Sequence, residues 1–313
     1  MRGKVRAVVT GGAGFVGSHL CELLLYEDIE VVCVDNLLTG AEENIVAARQ
    51  DPHFTFVRQD VTEALDFPAD MVFHCASPAS PVDYALYPIK TMLANSVGTM
   101  NCLELAVREG ARMVMCSTSE VYGDPEVSPQ QEGYFGNVNP VGPRSCYDES
   151  KRFAEAMCKA YEREREAQVV IIRIFNTYGP RMREHDGRVI PNFVCQALDD
   201  RPLTVYGDGS QTRSFCNVAD LVRGLYFAMT KEGATGNVIN LGNPAEMTVL
   251  ELARKVIEST GSSSPVEFEP LPQDDPRRRR PDISRAAELL CWSPTVGLDE
   301  GLAGVVSYFK EKR

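Results

Sequence analysis

The sequence predicts an α/β fold: a doubly wound parallel Rossmann sheet over residues 1–180, followed by a smaller C-terminal α/β domain over 181–313. Three observations predict it. Short apolar runs alternate with longer helical patterns through the first half. A glycine-rich turn follows the first apolar run directly. Beyond about residue 180 the segments become shorter, mixed and richer in Gly, Pro and charge.

The apolar runs are VRAVVT (5–10), EVVCV (30–34), FTFV (54–57), MVFHCA (71–76), MVMCS (113–117) and VVIIRI (169–174), all read as buried strands. Between them lie helical stretches such as SHLCELLLY and MNCLELAVREG. Buried strands alternating with helices mean βαβ units, and right-handed crossovers then give a doubly wound parallel sheet. In the second half, PLTVYGDGSQTRSF reads as a strand, a turn and a second strand, and TVLELARKVIESTG as a helix ending at Gly261. A later segment is free to cross back into the first domain.

Composition narrows the function. The chain has 313 residues, 44% hydrophobic and 24% charged, ordinary for a soluble globular protein. A formal net charge of -12 argues against a general nucleic-acid or membrane-surface role. The local exception is the run Arg277, Arg278, Arg279 and Arg280. The first strand begins almost at once, leaving no room for a secretory apolar region, and no stretch reaches the length of a membrane span. Ten cysteines and four histidines are scattered without metal-ligand spacing, and Cys33, Cys75 and Cys116 fall inside strand-like runs as core thiols. These features imply a reduced, cytoplasmic, metal-free protein.

VVTGGAGFVGSHL places Gly12, Gly14 and Gly17 in a GxGxxG frame, and Gly11 supplies an overlapping GxxGxxG. The motif follows a strand and opens a helix, where glycines allow a tight turn and close approach to a pyrophosphate. Phe15 and Val16 belong to the same turn. The second strand ends at Asp35, eighteen residues past Gly17, where a carboxylate binds adenosine ribose hydroxyls and repels a 2′-phosphate. NAD is therefore favoured over NADP. Asn36 follows Asp35, while Asp60 and Val61, after the third strand, are placed to meet the adenine. Asn95, in NSVGTMN, either fixes a helix or touches the cofactor.

The fifth strand runs into STSEVYGD, setting Thr118, Ser119 and Glu120 beyond its carboxyl end, where ligands bind in open α/β sheets. SCYDESK then offers Tyr147 and Lys151 four residues apart, on one face of a helix. A phenol is a poor base at neutral pH, and a neighbouring ammonium favours its phenolate. An isolated YxxxK is usually a surface pair. Together with the hydroxyl cluster and the nucleotide fingerprint, it makes a hydride-transfer site in which Tyr147 takes a proton from a substrate alcohol and Lys151 steadies the phenolate and the nicotinamide ribose.

The chain resembles extended short-chain dehydrogenase/reductases of the nucleotide-sugar branch, and within it the UDP-glucuronic acid decarboxylases. The resemblance spans nearly the whole length, through TGGAGFVGSHL, ASPASP, STSEVYGDPEVSPQ, NPVGPRSCYDESKR, RIFNTYGPRM, DGRVIPNF and RRRRPDI. It implies C4 oxidation of UDP-glucuronate, loss of carbon dioxide from the resulting β-keto acid, protonation at C5 and reduction at C4, giving UDP-xylose. In the family Glu120 and Ser119 act between oxidation and reprotonation, with Thr118 near the C4 oxygen. On the substrate side it implies roles for Asn176 and Arg213 near the diphosphate. Arg188, Tyr206 and Gln211 are implied to line the nucleotide-sugar pocket. Arg279 is implied near the sugar and diphosphate, and Pro81 and Tyr84 are implied to close over the sugar. Cys146 is read as a spectator.

Two positions depart from the family pattern: Ala41 stands where relatives often carry a basic residue, and Asn217 where many carry an aromatic or histidine. Relatives pair through helices like 92–108 and 148–165, which implies a homodimer. Two other readings remain open: a UDP-glucuronate 4-epimerase or a TDP-linked equivalent, and an NAD-binding sensor without turnover.

Overall fold

The computed structural model describes residues 4–271 and 278–313; Arg277 of the arginine run lies outside them. The six apolar runs become β1 (Arg6–Thr10), β2 (Glu30–Asp35), β3 (Phe54–Arg58), β4 (Met71–His74), β5 (Arg112–Thr118) and β6 (Gln168–Ile174). They are joined by α1 (Phe15–Tyr26), the short α2 (Pro81–Leu86), α3 (Pro88–Glu109) and α4 (Ser145–Arg165). The stop signals work as their chemistry requires: Gly110, at φ 67, ends α3 in the left-handed region.

The second half starts with β7 (Thr177–Tyr178), α5 (Val189–Leu198), β8 (Leu203–Tyr206), β9 (Thr212–Ser214) and β10 (Cys216–Asn217). It continues with α6 (Val218–Thr230), β11 (Val238–Leu241), β12 (Glu246–Thr248), α7 (Val249–Thr260) and β13 (Val266–Glu269). The chain closes with β14 (Arg278–Arg279), α8 (Ser284–Leu290) and α9 (Leu298–Glu311). A capping box opens α7, with Thr248 and Glu251 satisfying each other's backbone amides.

Seven strands form one parallel sheet in the order β11-β6-β5-β4-β1-β2-β3. The order reverses between β1 and β4, which opens a crevice at the carboxyl ends of these strands. β11 is the chain's return to this sheet after the first elements of the second half. The run FTFV is an edge strand rather than a buried one: Phe54, Phe56 and Val57 are half-buried and Thr55 exposed. At the sheet edge β3 has β2 as its one strand neighbour and is covered less fully than the central strands, with Phe54 and Phe56 packed against one core and Val57 against the other. β8 and β9 both exist but do not pair with each other; β8 pairs with β13, and β9 lies between β12 and β14.

One face of the large sheet packs Val9, Val31 and Val114 against Leu20 and Leu24 of α1 and Leu225 of α6. Leu20 and Leu24 are fully buried one helical turn apart, each worth about 2 kcal/mol of apolar burial. The opposite face packs Val8, Val72 and Met113 against Leu103 of α3 and Ala154 of α4. A third core, built on Phe193, Leu203, Leu252 and Phe309, holds the C-terminal elements together.

Candidate active site

The glycine turn builds the mouth of the crevice. Gly11 has φ +70, and a Cβ there would come within 2.7 Å of the Ala76 backbone; at Gly17 it would meet the Gly11 carbonyl at 2.1 Å. α1 starts at Gly14 with no side-chain cap and no acidic residue in its first turn, so its amides are presented to the crevice. A cavity of about 350 Å³ lies there, lined by Gly11, Gly14, Phe15, Val16 and Gly17 on one side and Asp35, Asn36, Asp60 and Val61 on another. Asp35 is buried at the end of β2 and accepts hydrogen bonds from the Ala13 amide (3.0 Å) and the Leu37 amide (2.8 Å). Burial nevertheless raises its carboxyl pKa. Asn36 donates to Asp60 at 2.7 Å, joining the second and third strand ends.

These features fit NAD: a backbone cradle with no room for Cβ atoms, an uncapped helix start for a pyrophosphate, and a buried carboxylate where ribose hydroxyls would lie. Two cations in the same wall escaped the sequence reading. Lys90 comes from YPIKT, and Arg183, paired with Asp83, from GPRMR. Neither carries a local signal beyond its charge. Asn95 is not in this wall. It is fully buried on α3 and donates to Ser150 of α4 at 2.9 Å, a contact that joins the two helices, while its Oδ1 has no partner among the described residues. Cys75, expected in the core, does stand in the cavity wall.

Tyr147 and Lys151 lie in the first turns of α4, both buried. The helix is pinned farther along by Arg173, whose guanidinium forks onto Glu155 at 3.0 and 2.7 Å. Ser117 of β5 donates to the same carboxylate at 2.6 Å. Lys151 Nζ donates to the Cys116 carbonyl at 2.7 Å and lies 6.0 Å from the Tyr147 ring centre. Burial lowers its pKa to about 8.

Burial also pushes the Tyr147 phenol well above its ordinary value, against a hydrogen bond with Thr118. Glu120 and Asp148 push in the same upward direction, and the Arg188 guanidinium opposes them. A neighbouring ammonium favours the phenolate, but in the structure desolvation outweighs the nearby cations. Thr118 also accepts from the Glu120 amide at 3.2 Å, so one hydroxyl links the strand end to the phenol.

Glu120 sits between two guanidiniums. Arg144 Nη2 donates to its Oε2 at 2.6 Å and Arg279 Nη2 to the same oxygen at 3.0 Å, while Arg279 Nη1 meets Oε1. Burial would raise the Glu120 pKa, but the two cations hold it at about 2. Arg144, in GPRSCY immediately before α4, was missed from sequence; an arginine three residues ahead of the YxxxK tyrosine was the available signal. Asp148, also missed, is buried with its Oδ1 unpartnered among the described residues. Burial, then Glu120, raises its pKa to about 7.

Tyr84 is 3% exposed and stacks on Tyr147, ring centres 5.2 Å apart at 11°, with Arg144 5.9 Å from its ring centre, which puts it against the catalytic phenol. Pro81 begins α2, which Ser80 caps. Ser119 is buried just after β5. Arg188 reaches the cofactor cavity, paired with Asp186 (Nη2–Oδ2 2.7 Å) and 5.5 Å from the Phe15 ring centre. Arg213 and Arg279 are register partners on β9 and β14, both buried. Tyr206 ends β8 half in solvent, and Gln211 donates to its carbonyl at 2.7 Å. Asn176 follows β6, its carbonyl accepting from the Cys216 amide at 2.9 Å. Asn217 caps α6 through the Ala219 amide, and Cys146 donates weakly to the Tyr84 carbonyl. Among the described residues no helix is long and apolar enough to cross a membrane, and no His/Cys/Asp/Glu group of three or more is gathered to hold a metal.

Comparison with known proteins agrees with this geometry. Residues 7–242 match the NAD dependent epimerase/dehydratase family. UDP-glucuronic acid decarboxylase 4 of Arabidopsis thaliana is 53% identical over 99% of this chain and 70% of its own length. UDP-glucuronic acid decarboxylase 1 of Danio rerio is 50% identical over 99% of this chain and 73% of its own. Among solved structures, the UDP-glucuronic acid 4-epimerase from Bacillus cereus, in complex with UDP-glucuronic acid and NAD, superimposes with a TM-score of 0.87. It is 30% identical and covers 99% of this chain and 100% of that one. With its glycine cradle, its buried YxxxK pair and these relatives, the chain belongs to the NAD dependent epimerase/dehydratase family, and within it to the UDP-glucuronic acid decarboxylases.

Proposed function

We propose that the protein converts UDP-glucuronate to UDP-xylose and carbon dioxide. Bound NAD supplies the reversible two-electron oxidation of the C4 carbinol. Tyr147, held against Thr118, takes the C4 hydroxyl proton and later returns it; Lys151 supports the phenol from the next turn of α4. A ketone at C4 is β to the C6 carboxylate, so carbon dioxide leaves with its electrons delocalised into an enolate, and C5 must then be protonated.

The observation that carries this reading is the Glu120 carboxylate, clamped by Arg144 and Arg279 at the end of β5 beside Tyr147. Inversion at C4 needs no proton delivered to carbon, whereas decarboxylation does. Glu120 and Ser119 supply a second proton-handling site for C5. Residues 1–180 hold the cofactor, with α6 and β11 crossing back to their sheet. Residues 181–313 supply most of the nucleotide-sugar side, with Arg188, Tyr206, Gln211 and Arg213 along the substrate, joined by Asn176 from the first segment, and Arg279 exchanging Glu120 for substrate anion.

The second reading is a 4-epimerase, favoured by the likeness to the Bacillus cereus enzyme over nearly the whole chain. Proton NMR of the protein with UDP-glucuronate and NAD separates the two. A UDP-pentose with matching carbon dioxide release supports decarboxylation; UDP-galacturonate without gas release overturns it.

The protein is also proposed to be a homodimer. α3 exposes Ile89, Met92 and Met100, and α4 exposes Phe153, an apolar surface on two helices that pack against each other. A monomeric mass in sedimentation at micromolar concentration sinks this assignment. A cytoplasmic setting is supported by the free state of all ten cysteines.

A further inference from the structure

We propose that Cys75 and Cys116 form an oxidative modification site, a dithiol in the cofactor cavity wall that peroxide closes to a disulfide and that thiols reopen. The two sulfurs lie 3.4 Å apart. Cys75 follows β4 and Cys116 lies in β5; the pair comes one step past the register pair His74 and Met115. Neighbouring strands run about 4.8 Å apart, inside the Cα separation a disulfide accepts.

Access and reactivity are divided between the two thiols. Cys75 is half-buried and lines the cavity, so the crevice is the route by which a small oxidant reaches the pair. Cys116 is 6% exposed. The hydrogen bond from Cys75 and the Lys151 ammonium lower the Cys116 pKa against its burial. The other thiols near this end of the sheet are less available: Cys21, Cys33 and Cys102 are fully buried.

The chemistry balances with hydrogen peroxide as oxidant. Cys116, the thiol whose pKa is lowered, is the nucleophile, while the same hydrogen bond and burial raise that of Cys75. Its sulfur attacks one peroxide oxygen, becoming a sulfenic acid as one water leaves. The Cys75 sulfur then attacks Cys116, displacing the hydroxyl, which departs as a second water with the Cys75 proton. Two thiols lose two electrons and two protons, and one peroxide becomes two waters.

The consequence follows from what else these residues touch. Closing the bond draws the sulfurs from 3.4 Å to about 2.0 Å, which moves the ends of β4 and β5. Cys75 is cavity wall, and the Cys116 carbonyl is the acceptor that holds Lys151 Nζ. Oxidation therefore reshapes the cofactor cavity and the seat of Lys151 together. This inference rests on the cofactor cavity and not on the choice of sugar substrate.

The test treats the purified full-length protein with hydrogen peroxide, alkylates the remaining thiols, and maps the peptides by mass spectrometry, with NAD affinity measured on the same samples. The expected result is a Cys75–Cys116 linked peptide and a rise of at least tenfold in the Kd for NAD, both reversed by dithiothreitol. Saturating NAD covers Cys75 and should slow the linkage. The Cys75→Ser and Cys116→Ser variants, each compared with its own reduced form, should keep their NAD affinity through the treatment. Oxidation mapping instead to the half-buried Cys146 or the exposed Cys291, with no linked peptide, overturns the proposal. So does a linked peptide that leaves NAD affinity unchanged.

Discussion

Glu120 receives hydrogen bonds from both terminal nitrogens of Arg279, 159 residues later in the chain, with Nη2–Oε2 at 3.0 Å. The contact ties the carboxyl end of β5 to β14, and so links the large sheet to the small C-terminal one. Arg144 completes the clamp from the residue before α4. Held by the buried Arg279 and the half-buried Arg144, the carboxylate is an anion at neutral pH. A substrate anion that engages Arg279 removes one of those cations, and the Glu120 pKa then rises from about 2 toward the range where it can carry a proton.

Glu120→Gln should abolish turnover and also cost about 3 kcal/mol of stability, because the buried Arg279 and the half-buried Arg144 lose their counter-charge. The sign of the pH dependence follows from the depressed pKa. The folded value of about 2 lies below the ordinary 4.5, so the stabilisation is fully present above 4.5 and is lost as pH falls toward 2. Urea midpoints of both proteins from neutral pH downward check this. The gap should be widest near neutrality and narrow on acidification below 4.5; a constant gap counts against the ion-pair account.

Tyr147→Phe keeps the ring that stacks on Tyr84 and removes only the hydroxyl. Turnover should fall roughly 10²–10⁴-fold, the usual contribution of a positioned acid/base, while NAD affinity and KM stay within a few-fold. Steady-state kinetics with calorimetric NAD titration read both quantities. A near-normal kcat removes Tyr147 from the chemistry.

Most of this site was legible because it follows from local pattern. The glycine turn, Asp35, Thr118 and the YxxxK pair sit at strand ends and helix starts, positions that a parallel sheet fixes once its order is known. What escaped was contact between distant segments. Arg144 is an ordinary charge until β14 brings Arg279 to the other side of Glu120. The stacking of Tyr84 on Tyr147 depends on how α2 packs against α4. Asn95 suits a ligand or a helix contact equally, and its bond to Ser150 needs the packing of α3 on α4. Desolvation is likewise a property of the assembled fold, so the upward shift of the Tyr147 phenol could not be read from the neighbouring lysine.

Lys151 should make cofactor binding pH-dependent. Burial lowers its pKa to about 8, so its ammonium is largely lost above that value and present below it. NAD affinity should therefore weaken as pH rises through 8, by roughly tenfold if the cation contributes a charge-assisted hydrogen bond of about 1.5 kcal/mol. In Lys151→Met the affinity should be uniformly weak and flat with pH. A flat wild-type profile across the same range would show that the charge of Lys151 does not act on the cofactor.

Asp148 offers a test in the opposite direction. Its carboxyl is raised from 3.8 to about 7, by burial first and then by Glu120, with Arg144 and Arg279 opposing. A group with a raised folded pKa contributes stability that is fully present below 3.8 and lost as pH rises through 7, where the buried carboxylate must ionise with one oxygen unpartnered. Asp148→Asn removes that ionisation. It should raise the Tm relative to the wild type above pH 7, by an amount equivalent to about 1–2 kcal/mol, and the advantage should vanish on acidification toward 4. Paired thermal scans across this range check it. A variant destabilised equally at every pH would mean that Asp148 holds a structural contact that asparagine cannot make, and that its ionisation is not the penalised step.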